Sequence, residues 1–192
     1  MKFNESHREP SDVFWGEMSP CEHLVQIYQN DAVLLDTLEG FVAGGLRAGE
    51  GVIVIASPAH IEALEDRLEA QKLDLAAARA DDRFIALDAE QTLSKFMVNG
   101  WPDSELFEEV VTGVLERARG ESRRVRAFGE MVAVMWARGQ HGATVRLEHL
   151  WHSLCRTNQF SLFCAYPKIG FTEDAASSVE EICAAHSRVI SG

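Results

Sequence analysis

The stretch GVIVIASPAHIEAL, residues 51–64, decides the fold. Its first six residues are almost continuously apolar and rich in β-branched side chains, which is how a strand buried on both faces reads. Ser57-Pro58 then ends the strand and opens a helix. Serine caps the exposed amides, and proline at the first helical position forfeits no hydrogen bond it could have made. Ile61, Leu64 and Leu68 continue at helical spacing. A doubly buried strand running straight into an amphipathic helix is half of a βαβ unit. The sheet should therefore be mainly parallel, with helices on both faces.

The same alternation extends outward. HLVQIY (23–28), RFIALD (83–88), RVRAFG (124–129) and FSLFCAY (160–166) read as further strands. Between them, Leu34, Leu35, Leu38, Phe41, Val42 and Leu46 mark one helix face, and Leu106, Phe107, Val110, Val111, Val114 and Leu115 another. Asp88 and Gln91 have capping-box spacing, and Gly49 and Gly120 fall where left-handed helix ends belong. Gly44-Gly45 lies inside a helical pattern and marks close helix packing. Residues 1–20 are polar, contain Pro10 and Pro20, and read as an arm anchored by Phe14 and Trp15. Residues 21–192 form a single three-layer α/β domain with a mainly parallel sheet of five or more strands.

Composition narrows the function. The 192 residues are 46% hydrophobic and 25% charged, with 30 acidic against 18 basic residues and a net charge of -12. Such a chain repels phosphate backbones and anionic lipid, so neither nucleic acid nor membrane is an expected direct partner. The N-terminus has no apolar signal region, and the four cysteines (Cys21, Cys155, Cys164, Cys183) are scattered without C-x-x-C spacing. A cytoplasmic protein with reduced thiols is expected. A homodimer is the ordinary expectation for a soluble chain.

Familiar catalytic signatures are missing. The four lysines stand at 2, 72, 95 and 168, and none follows a glycine-rich turn, so there is no phosphate-binding loop. There is no G-x-G-x-x-G, G-x-S-x-G or H-E-x-x-H. In parallel sheets, ligands gather beyond the carboxyl ends of the strands, which directs attention to the segments just after the five runs. Glu130 follows the fourth run, where a carboxylate serves as a base, a ligand contact or a favourable charge at a helix start. Cys164 in the last run reads as a small buried hydrophobe or as a reactive thiol. His149, His152 and Cys155 recur every three residues, but one helix alone does not converge such side chains on an ion, so no metal or other cofactor is expected. Arg117, Arg119, Arg123, Arg124 and Arg126 read as a solvated basic cluster at a helix end and strand entry, or as a site for an anion or an acidic partner surface.

Taken together, several fragments resemble one family. They are EHLVQIYQ (22–29), GLRAGEGVIVIASPAHIEAL (45–64), FIALDAEQTLSKFMVNGWPD (84–103), VRAFGEMVAVMW (125–136), LEHLW (147–151), FSLFCAYP (160–167) and EICAAHSRVI (181–190). This order resembles the MEDS domain, a sensory domain named after methanogen and methylotroph proteins and a dichloromethane-responsive regulator. The resemblance implies a RecA/KaiC-like core without a working phosphate loop. It also implies a non-catalytic role in prokaryotic signalling, with small hydrocarbon derivatives as ligands. The expected partner is a signalling protein such as a histidine kinase or transcription regulator. Carried over by position, His23, Tyr28, Glu130, Cys164, Tyr166 and His186 would line or support a ligand pocket, with Trp136 as an apolar wall. The alternatives are a small enzyme using Cys164 or Glu130, and a ligand-free interaction module.

Overall fold

The computed structural model describes residues 15, 18–170, 180, 182–184 and 186–191. Six strands form one sheet: β1 (His23–Tyr28), β2 (Gly51–Ala56), β3 (Phe84–Asp88), β6 (Val125–Gly129), β7 (Ser161–Pro167) and β8 (Arg188–Ser191). Their order is β3-β2-β6-β7-β1-β8, and every pairing is parallel. A short antiparallel hairpin, β4 (Met97–Val98) with β5 (Trp101–Pro102), lies outside it. Parallel neighbours force helical crossovers. These are α1 (Asp31–Arg47), α2 (Pro58–Ala70) and α3 (Leu75–Ala80), then α4 (Ala89–Leu93), α5 (Ser104–Arg119), α6 (Met131–Ala137) and α7 (His141–Asn158). The first three cover one face and the last four the other. Among the described residues, no helix is long and apolar enough to cross a membrane.

Strand β2 behaves as its sequence demands. Val52, Val54 and Ala56 enter the core shared with α1–α3, while Ile53 and Ile55 enter the core beneath α4–α7. The Ser57 hydroxyl accepts from the His60 amide at 3.4 Å, and Asp88 accepts from Gln91 at 2.8 Å, so both expected caps form. Gly49 and Gly120 both take positive φ values, 75° and 51°, but Gly120, with ψ of -133°, is not in the left-handed helical conformation expected of it. The sequence reading did not foresee β8, the short helix α3 or the β4–β5 hairpin of two residues per strand.

Trp15 packs edge-on against Phe41 with ring centroids 5.4 Å apart. Its expected companion in the arm, Phe14, lies outside the described residues.

The basic cluster needs one correction. Arg126 is fully buried rather than solvated, because it points into the sheet face covered by α1. Its guanidinium meets Glu50 at 2.5 Å and donates to the carbonyls of Trp15 at 3.0 Å and Phe41 at 2.9 Å. The stem leaves no room on α1: a Cβ on Gly45 would sit 2.7 Å from Arg126 Cδ and 2.8 Å from Val52 Cγ2. That is the close packing expected of the glycine pair. The remaining arginines of the cluster that form ion pairs do so at the surface, Arg117 with Asp82 and Arg123 with Asp81.

Removing the cation strands a buried carboxylate. Arg126→Met should therefore cost about 3 kcal/mol of unfolding free energy. Adding Glu50→Leu should return part of that loss in urea titrations, and an unchanged midpoint in the single variant would refute the assignment.

Candidate functional site

The seven residues singled out from sequence do not share one pocket. Two stand at the carboxyl ends of the strands and four meet inside the core, with Trp136 packed against the second group. Register and side-chain direction explain the division. His23 pairs with Leu162 at the start of β1, on the face beneath α7, whereas Glu130 leaves the end of β6 and turns toward β2 and α2.

The first group fills the switch point of the sheet. Chain leaving β2 enters α2 on one face, and chain leaving β6 enters α6 on the other, which opens a crevice between them. Glu130 spans it. One carboxylate oxygen accepts from the Ser57 amide at 2.7 Å, and the other lies 2.8 Å from His60 Nδ1. The backbone amide of Glu130 donates to Ile55 at 2.8 Å, fixing the turn. Exposed Asp31 stands 3.6 Å from His60 Nε2. Burial raises the Tyr28 phenol pKa, and the nearby charges of Glu130 and Asp31 push it further. Tyr28 therefore stays a neutral hydroxyl beside two carboxylates.

The second group is a polar knot in an apolar core. Glu148, on the buried stripe of α7 with Leu147, Trp151 and Leu154, is only 1% exposed. Its Oε1 accepts the Tyr166 hydroxyl proton. Its Oε2 lies 3.5 Å from His23 Nε2 and 3.4 Å from His186 Nε2. Cys164 Sγ is 3.5 Å from His23 Nε2, and the rings of His23 and His186 stand 3.9 Å apart. Burial works against the Glu148 charge, yet His186, and then His23, hold its pKa below the ordinary carboxylate value. Burial lowers the His186 pKa, but Glu148 more than reverses this and leaves it raised. Cys164 is pushed well above an ordinary thiol, by burial first and Glu148 second.

Trp136 joins the two regions. It ends the helix that Glu130 begins, stacks on His141 at 4.2 Å and meets Tyr166 edge-on at 5.9 Å. The run His149, His152, Cys155 does not converge. His149 is exposed, the Cys155 thiol donates to the Phe160 carbonyl, and only His152 approaches the knot, 6.0 Å from the His23 ring. His149 instead lines a groove of about 320 Å³ between α5 and α7, with Glu108, Arg146 and Ser153. None of the seven residues borders that groove.

Glu148 and His60 escaped the sequence reading. A charged residue inside an apolar stripe at 144, 147, 148, 151, 154 and 155 was a usable signal for Glu148. His60 had none, because only the fold brings it to Glu130.

Fold and polar groups together define a three-layer α/β domain on a parallel six-stranded sheet, with one polar group at the switch point and a second sealed in the core. The particular family follows from the chain itself. Residues 22–187 match the MEDS family, "MEthanogen/methylotroph, DcmR Sensory domain", and the chain belongs to it. No curated protein matches the chain.

The hydrogen bond that His60 donates to Glu130 raises its pKa above the ordinary 6.5, with Asp31 adding to the effect. The stabilisation from this pair is thus complete below pH 6.5 and fades as pH rises through the elevated value. Urea midpoints measured from about pH 5.5 to 8.5 should fall in the wild type relative to His60→Gln. Parallel profiles would mean that His60 does not gain its charge beside Glu130.

Proposed function

We propose that this MEDS domain is a non-catalytic, cytoplasmic sensor of prokaryotic signal transduction. It takes a small molecule, of the simple hydrocarbon-derivative class, beside Glu130 at the carboxyl ends of the strands. It reports occupancy to a partner protein such as a histidine kinase or transcription regulator. The observation that carries this reading is the buried Glu130 carboxylate bridging Ser57 and His60 across the switch point. A polar ligand group that competes for the Ser57 amide or for His60 would release Glu130 and, with it, the start of α6.

Two further observations support the non-catalytic part. Only Gln29 and Asn30 separate β1 from α1, and Asn30 is occupied in capping the helix. A phosphate-binding loop spans about eight residues, so the connection leaves nothing to wrap around a nucleotide phosphate. Cys164 is fully buried with its pKa raised, the opposite of what a nucleophilic thiol needs. A partner has an exposed surface to read in the β4–β5 hairpin, where Trp101 is 51% and Val98 45% exposed. Whatever binds can shift that surface only by its differential affinity for the two states.

Thermal unfolding against a panel of halomethanes, short alcohols, diols and aldehydes tests the proposal. A ligand held at a hundredfold excess over Kd adds about 2.7 kcal/mol, so a true ligand gives a saturable rise in Tm. Glu130→Gln should weaken or abolish that rise. Turnover of any compound, or no saturable shift across the panel, would overturn the reading.

A further inference from the structure

We propose that His23, Glu148, Cys164 and His186 form a closed, four-ligand site for one zinc-class divalent ion. Each offers one donor atom, and the four atoms lie within 4.8 Å of one another. The described separations between them are 3.4 Å and 3.5 Å. A tetrahedral ion with nitrogen or oxygen ligands near 2.0 Å and a sulfur ligand near 2.3 Å spaces its donors roughly 3.3–3.8 Å apart. Three of the six edges of the knot already have that length, and the other three are no longer than 4.8 Å.

The surrounding bonds leave the donor lone pairs facing inward. His186 Nδ1 lies 2.6 Å from the Ile182 carbonyl, which can only accept, so Nδ1 carries the proton and Nε2 is directed at the knot. Tyr166 binds Oε1 of Glu148 and leaves Oε2 for the knot. Histidine anchored to a backbone carbonyl and carboxylate held by a hydroxyl are the outer-sphere contacts that orient metal ligands. Glu148 Oε2 and His186 Nε2 are both buried, 3.4 Å apart, and neither completes a hydrogen bond. Such a contact in an apolar core is satisfied either by a proton on Nε2 or by a cation between the two atoms, and a metal ion would take the place of that proton. Imidazole with thiolate selects zinc over magnesium or calcium.

Binding would displace the Cys164 proton to solvent and leave a thiolate–metal bond with no change of oxidation state. Four protein ligands leave no coordination position for water or substrate, so the ion is structural. It would tie α7, β1, β7 and the segment entering β8 at one point. The site is separate from the Glu130 crevice, and its failure would leave the sensor proposal standing.

The test is metal content by mass spectrometry on protein purified without chelator, followed by cobalt(II) reconstitution. A Cys21→Ser, Cys155→Ala, Cys183→Ser background makes Cys164 the sole thiol. One zinc per chain is expected, along with intense tetrahedral cobalt absorption and a thiolate-to-cobalt charge-transfer band. Cys164→Ser and His186→Gln should each lower retained zinc at least tenfold, whereas His149→Ala should leave it unchanged. Tyr166→Phe keeps every ligand and should weaken affinity by about 10–100-fold. A folded wild type that takes up neither ion from saturating solution would overturn the proposal, as would full retention in both ligand variants. If those variants fail to fold, the charge-transfer band in the Cys164-only background decides: its presence supports the site and its absence rejects it.

Discussion

A carboxylate inside an apolar core is the constraint around which half of this molecule is arranged. Glu148 lies on a helix face that otherwise carries leucine and tryptophan, and its charge has almost no access to water. An isolated ion there would be untenable, so it must be neutralised or ligated. The response draws on three separate pieces of chain: the first residue of β1, two alternate residues of β7, and the residue two positions before β8. No hydrophobic contact would specify their mutual position so narrowly. The opposite face has a smaller counterpart in Arg126, whose buried charge fixes Glu50, the α1 backbone and Trp15.

The two polar regions are mechanically connected. Glu130 starts α6 and Trp136 closes it, so the seven residues of that helix run from the crevice to the aromatic contact with Tyr166. Tyr166 holds Glu148, and Glu148 rides on α7. At its start, α7 packs on the exposed hairpin, where a Cβ on Gly142 would sit 3.6 Å from the Trp101 ring. A small helix packed at both ends transmits a shift as a rigid body, since close-packed interiors resist gradual deformation. This is a route by contact. Whether the sites are energetically coupled is a matter for paired substitutions at Glu130 and Tyr166.

The fold was legible wherever burial imposed a period. β2 declared itself because both of its faces are covered, and α1, α2 and α5 because one face of each is. Ser57, Asp88, Gly49 and Gly120 carried local chemistry that needs no distant partner. The β4–β5 hairpin is too short to show any alternation, and β8 has exposed Val189 beside buried Ile190, a weak pattern in four residues. The site was legible as a set of residues but not as an arrangement. His23, Cys164, Tyr166 and His186 could be named together from the family resemblance, yet their separation from Glu130 depends on strand register and side-chain direction. Glu148 could have been found as a charge on an apolar stripe, whereas Arg126 was misread because a strand entry and a strand interior look alike in sequence.

Strand β8 lies at the margin of the sheet and, among the described strands, pairs with β1 alone. Its approach is secured by Ser187, which exchanges three hydrogen bonds with the His23 backbone at 2.8 to 2.9 Å. It thus acts as a removable selvage on an otherwise finished five-stranded fabric. Were it to peel away, β1 would expose unsatisfied amides and carbonyls along Leu24–Ile27, an open template for a strand from another molecule. The last strand therefore governs whether this sheet ends within one chain or continues into the next.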